Sequence, residues 1–136
     1  MINWKRTTKK IFQKFIPSSY PPIIIASMGR SGSTLVFHSV CSGMAQSRFC
    51  TSNKLAIKFV KQSAWDLSYQ SFYNGIVYKT HGLAHELPRN TNAKVIFVYD
   101  IASNAAISVL SCLYRYGDSW VKKHLEHLRA NGNLNE

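Results

Sequence analysis

Acidic side chains are scarce in this chain: six Asp and Glu stand against seventeen Lys and Arg, which leaves a formal charge of +11 over 136 residues. So one-sided a balance favours an anionic partner, whether a nucleotide, a nucleic acid, a sulfated or acidic substrate or a membrane surface. Charge alone does not choose among them. Cysteine is also sparse. Cys41, Cys50 and Cys112 are odd in number and widely spaced, with no C-x-x-C pair. They offer neither a disulfide framework nor a thiolate zinc site, and read as buried free thiols in a reducing, cytoplasmic setting. No apolar run approaches the ~20 residues that cross a bilayer. The first twenty residues lack the continuous apolar stretch of a secretory signal. What the chain does have is a 46% share of hydrophobic residues, enough for a folded core. Its length predicts one domain over residues 21–136 behind a basic segment at 1–20.

That basic segment carries Ile11, Phe12, Phe15 and Ile16 on one helical face, with Lys9, Lys10 and Lys14 around it. It reads as a helix that either packs on the domain or touches a membrane surface through residues 1–16, or as an organelle leader. Pro17, Pro21 and Pro22 end it. Ile23 to Ser27 is then a buried strand, and a helix starts near Ser33 and runs to about Ala45 on Val36, Val40 and Met44, its stripe widened by Leu35, Phe37 and Cys41. Residues 46–74 are hard to read. Leu55 to Val60 suits a strand, yet Ile57, Val60, Ala64 and Leu67, continued by Trp65, Tyr69 and Phe72, favour a helix. Gly75 to Thr80 and Ala93 to Tyr99 read as parallel strands, the latter so apolar that it suits a strand covered on both faces. Helices follow at Ile101 to Tyr116 and Ser119 to Ala130, the last with Val121, Leu125 and Leu128 inside. Alternation of this kind predicts an α/β fold, a three-layer sandwich with a mostly parallel central sheet and ligands outside the strand carboxyl ends.

Between the first strand and its helix lies SMGRSGST, residues 27 to 34. Arg30, Ser31, Gly32, Ser33 and Thr34 gather a cation, a permissive backbone and hydroxyls at a helix N-terminus, the usual elements of a phosphate cradle. An ordinary Ser-rich turn is the plainer alternative. A Walker A loop places its lysine after the last glycine; here the cation is Arg30, upstream. The pattern S-x-x-R-S-G-S-T after an apolar strand resembles the 5′-phosphosulfate loop of sulfotransferases that use 3′-phosphoadenosine-5′-phosphosulfate (PAPS).

Two later stretches extend the resemblance. In GIVYKTHGLAHELP, Lys79 and His81 alternate at a strand end, so the period of two places them on one side with Thr80 opposite. K-T-H followed by Leu87-Pro88 is similar to the family segment that carries its catalytic histidine. The resemblance implies His81 as general base, and Lys79 with Arg30 as the cations stabilising the leaving phosphate. An imidazole with an unperturbed pKa of about 6.5 suits proton abstraction near neutrality. The third stretch, KVIFVYDIASNAAISVLS, is similar to the family's 3′-phosphate segment, with Ser108 at the serine position. Asp100, Ala102 and Asn104 stand where the family has arginine, proline and an acid, and Asp100 opposes the phosphate that arginine binds.

The expected activity is sulfuryl transfer from PAPS to a hydroxyl acceptor without a metal, the nucleotide held by Arg30, Ser31, Gly32, Ser33, Thr34 and Ser108. Fold and resemblance together suggest a P-loop-like sandwich. No specific nucleic-acid motif is present, and a homo-oligomer is compatible with so short a chain. Two rivals stand beside this reading. VIFVYD fits a Walker B strand, which points to a magnesium-dependent kinase or nucleoside triphosphatase with Thr34 and Asp100 near the metal. A catalytically inactive, anion-binding domain is the other. The pairs His81/His85 and His124/His127 have metal-compatible spacing but no clear third ligand.

Overall fold

In the computed structural model the described residues are 18–27, 31–64, 67–68, 70–82, 87 and 91–130, with side chains excepted at 127–130. The expected N-terminal helix, Arg30, His85, Pro88 and the side chains of His127 and Leu128 lie outside them.

Four strands form one parallel sheet: β1 (Ile23–Ser27), β2 (Lys61–Ser63), β3 (Val77–Thr80) and β4 (Lys94–Val98), in the order β2-β3-β1-β4. Helix α1 (Ser33–Phe49) follows β1 and α2 (Lys54–Val60) leads into β2, while α3 (Ala102–Tyr116) and α4 (Asp118–Ala130) follow β4. The fold is thus α/β. The chain leaves β1 towards β2 and leaves β3 towards β4, so adjacent strands β1 and β3 connect in opposite directions. At such a switch point a crevice opens outside the strand carboxyl ends. Among the described residues no helix is long and apolar enough to cross a membrane.

Period-two alternation divides the core. Ile25 and Val77, with Ile23, face Phe37, Cys41, Met44 and Ala45 of α1 and Ala56 and Val60 of α2. Ile24, Ile76 and Tyr78 face the other way, against Ala64, Leu67, Phe72 and Tyr73. β1 and β3 are therefore apolar on both sides, as central parallel strands must be.

Several expectations need correcting. α1 continues four residues past Ala45, to Phe49, and Leu35 is exposed. α2 stops at Val60, and Ala64, Leu67 and Phe72 pack as an irregular cover on the sheet, while Trp65 and Tyr69 lie outside the described residues. Lys61, Gln62 and Ser63 form a strand with no apolar signal, held by pairing to β3. β4 is an edge strand, and its side chains are largely exposed, not covered on both faces. Leu125 is exposed, and Cys50 is an exposed thiol while Cys41 and Cys112 are buried.

Gly75 joins the two halves of the core. Its φ is +70°, and an added Cβ would lie 2.6 Å from Ser18 Oγ and 2.9 Å from Arg48 Cδ. Its amide donates to Tyr20 O and its carbonyl accepts from Arg48 Nη1 at 2.9 Å. The chain before β1, the end of α1 and the entry to β3 thus meet where only glycine fits.

Tyr78 is the largest fully buried side chain of the sheet. Its Oη accepts from Tyr73 N at 2.8 Å and donates to Ser71 O at 3.3 Å, so one hydroxyl organises the irregular cover. Burial pushes the phenol from 10.0 up to about 12. Between those values the folded protein keeps a proton that the unfolded chain releases, so this contribution is complete below pH 10 and lost as pH rises through the folded value. Tyr78→Phe should cost about 1–3 kcal/mol in urea unfolding near neutrality, by leaving the Tyr73 N–H without its acceptor, while Ser71 O keeps the Gln70 Nε2 donor. The gap between wild type and variant should narrow as the pH rises from about 10 to about 12; a gap independent of pH would contradict the assignment.

Candidate functional site

The loop after β1 reaches α1 through Gly32, whose φ of 76° and ψ of 6° are left-handed. No side chain caps α1, and its first turn carries no acid. Helix N–H groups without intrahelical partners therefore open at this end, with the positive end of the dipole. Ser31 turns its hydroxyl to Val98 O at 3.0 Å, tying the loop to β4. Ser33 is buried and Thr34 exposed.

β3 supplies the facing side chains. Lys79 Nζ donates to Thr34 Oγ1 at 2.7 Å, across the mouth of the crevice. Burial lowers the Lys79 pKa below its ordinary 10.5, because an ammonium half removed from water loses hydration. Thr80 points to the opposite side, buried, and its hydroxyl accepts from Gly82 N. His81 Nδ1 lies 2.9 Å from Ser27 O and 3.0 Å from Ser27 Oγ. A carbonyl only accepts, so Nδ1 carries the proton, and the lone pair of the neutral ring sits on Nε2. The Ser27 carbonyl at the end of β1 thereby favours the Nδ1–H tautomer.

A cavity of about 380 Å³ opens between these groups and the C-terminal helices, lined among the described residues by Gly32, Ser33, Thr34, Lys79, His81, Ser108, Trp120 and His124. Three separate sequence stretches, the turn after β1, the end of β3 and the Ser108 turn of α3, thus meet at one point. The described lining holds a lysine and two imidazoles but no carboxylate, a composition that selects anions.

Neither a protein-family model nor a curated protein nor a solved structure matches this chain. The site must be read on its own chemistry.

From the sequence Trp120, with Tyr114 and Tyr116, reads as a packing residue or as lining of an aromatic acceptor pocket, and His124 only as half of a metal-spaced pair with His127; neither is tied to this loop. Trp120 and His124 are four residues apart on α4, their rings stacked with centroids 5.0 Å apart and planes at 14°. The i, i+4 spacing was visible, but the placing of α4 over the cleft was not. Asp100 is absent from the described lining. Its Oδ1 accepts from Ile101 N at 2.8 Å and Asn104 Nδ2 at 3.0 Å, fastening the start of α3. Among the described residues no three His, Cys, Asp or Glu side chains converge on a point.

Gly32 gives a direct test of the cradle. Nothing lies within 4 Å of an added Cβ there, so a substitution meets only the backbone penalty. Gly32→Ala should cost about 1–2 kcal/mol in urea unfolding, and Gly32→Asn less, because asparagine tolerates the left-handed region. Equal costs for both would show that backbone conformation is not what the glycine provides.

Proposed function

We propose that this chain is a PAPS-dependent sulfotransferase of P-loop-like fold, passing a sulfuryl group to a hydroxyl acceptor. The observation that supports the reading is the meeting of Gly32, Ser33, Thr34, Lys79, His81 and Ser108 around one cavity whose described lining holds no carboxylate. In this scheme the α1 N-terminus and the Ser33 and Thr34 hydroxyls hold the 5′-phosphate, and Ser108 approaches the nucleotide from α3. Trp120 offers a flat apolar wall to a ring of nucleotide or acceptor. The acceptor hydroxyl gives its proton to His81 Nε2 as its oxygen bonds to sulfur. The sulfur–oxygen bond to the 5′-phosphate breaks, and its electron pair stays on the phosphate oxygen of the departing 3′-phosphoadenosine 5′-phosphate. Lys79, and by the resemblance Arg30, neutralise that charge as it grows. Binding of an anion also restores to Lys79 the charge stabilisation that burial removes. A cytoplasmic setting suits the scheme, since Cys41 and Cys112 are buried and no disulfide joins the described cysteines.

Two contacts weigh against the magnesium-dependent alternative. Thr34 Oγ1 accepts from an ammonium, and the Asp100 carboxylate is engaged at the start of α3. Both groups would have to be rearranged to share a metal ion.

Thermal unfolding with 3′,5′-adenosine bisphosphate in EDTA, against ATP with magnesium, tests the site through ligand stabilisation. The metal-free bisphosphate should raise the midpoint. With PAPS and a panel of alcohols, phenols and sugars, His81→Ala should lower sulfated product about 10²- to 10⁴-fold, the usual worth of a positioned base, and leave the bisphosphate shift intact. Stabilisation by magnesium–ATP alone would favour the kinase reading. A bisphosphate shift with no turnover on any acceptor would favour the inactive binding domain.

A further inference from the structure

β4 closes one side of the sheet, pairing with β1 and, among the described residues, with no strand beyond it. One bond fixes which way its backbone faces. Lys94 N donates to Pro22 O, on the β1 side. By alternation along the strand, the N–H and C=O groups of Lys94, Ile96 and Val98 face β1, whereas those of Val95 and Phe97 face the open side; continued one residue past the end of β4, the same alternation turns Tyr99 outwards.

Exposed edges are ordinarily blunted by charge, proline, a bulge or a covering element. This one has no charge and no proline from Val95 to Tyr99. Val95, Phe97 and Tyr99 are 50%, 59% and 73% exposed. The rings of Phe97 and Tyr99 stack along one face, centroids 6.2 Å apart and planes at 20°. The result is an exposed apolar strip whose outward backbone groups have no strand partner among the described residues.

The strip is complementary to itself. KVIFVYD begins with a cation and ends with an anion. When a second copy lies antiparallel with Phe97 on the two-fold axis, Lys94 of each chain faces Asp100 of the other, Val95 faces Tyr99, and Ile96 faces Val98. The outward N–H and C=O groups then form the hydrogen-bonded pairs. Both Lys94–Asp100 pairs fall at non-hydrogen-bonded positions, where opposed side chains approach most closely. With the axis moved to Ile96, Lys94 faces Val98 and Asp100 faces Asn92, and both charge pairs are lost. Asp100 uses Oδ1 in its own chain, and a carboxylate has acceptor sites enough for an ammonium as well.

We infer that two copies of this chain pair through β4, joining their sheets into one, with Phe97 on the axis and a Lys94–Asp100 pair at each end. The partner is the chain itself because the edge supplies both charges in the register its apolar residues also satisfy. This surface is independent of the proposed activity.

Charge exchange tests both the surface and the register. In sedimentation at high micromolar concentration and about 0.15 M salt, the wild type should sediment as a dimer. K94E and D100K should each weaken self-association by about tenfold or more, because each places like charges at both ends of the strip. An equimolar mixture of the two should regain the dimer, since opposite charges again face each other at both ends. Because Asp100 fastens α3, circular dichroism checks the fold of D100K. If that variant unfolds, F97K serves instead, setting two like charges on the axis, and should also abolish the dimer. A monomeric wild type would overturn the inference and leave the edge to a strand of another protein. A dimer indifferent to K94E and F97K would overturn it too.

Discussion

The parallel register that sets Ala26 beside Thr80 underlies the rest of this structure. It brings the last residue of β1 within hydrogen-bonding distance of His81 and the ammonium of Lys79 within reach of Thr34. A slip by one residue would turn Lys79 and His81 to the opposite face and bury charge in the core. The register is held from both sides of the sheet. Ile25 and Val77 belong to the helix-covered cluster, and Ile24 and Tyr78 to the other, so no shifted pairing keeps both clusters apolar. Site geometry here follows from hydrophobic alternation two residues upstream of the polar groups.

The cleft is electrostatically expensive for the empty protein. Lys79 is half-buried, and its ammonium donates to the neutral hydroxyl of Thr34. No carboxylate belongs to the described lining. The cost of that poorly solvated ammonium is present at neutral pH and fades as the pH climbs from the lowered value towards 10.5. An uncapped helix N-terminus beside it adds a partial positive charge of the same sign. These terms oppose folding and favour any anion that fits. The net charge of +11 extends the same field outwards.

Much of the scaffold was legible because its signals are local. Ile23 to Ser27 is a branched apolar run, the helix begins at Ser33 where Gly32 permits the turn, and the final helices follow their 3.6-residue pattern to within one residue. Lys79 and His81 were assigned to one side by strand alternation alone. What escaped depends on distant partners. Lys61 to Ser63 has no strand composition and is a strand only because β3 lies beside it. The apolar series from Ala64 to Phe72 suits a helix, yet Ala64, Leu67 and Phe72 pack as an irregular cover fastened by the Tyr78 hydroxyl. β4 has the composition of a central strand, yet the order of the sheet leaves it at the edge. Trp120 and His124 join the cleft through the placing of α4, which no short pattern encodes.

Burial is divided unevenly between the two halves of the chain, and the division crosses the cleft. From Ala93 onwards Cys112 is the one buried apolar side chain among the described residues, whereas Ile96, Phe97, Tyr99, Ile107, Leu110 and Tyr114 are exposed. One wall of the cavity, Gly32 to Thr34 with Lys79 and His81, therefore stands on the packed core of β1, β3 and α1. The other, Ser108, Trp120 and His124, stands on helices that follow an edge strand. Few buried apolar contacts mean a lower local opening free energy. β4 joins the two walls: it is hydrogen-bonded to β1 along its length, it accepts the Ser31 hydroxyl at Val98, and it leads directly into α3. Whatever covers the free edge of β4 steadies the weaker wall through that strand. A ligand spanning both walls would do the same from within the cleft, and because both effects act through β4 they are coupled.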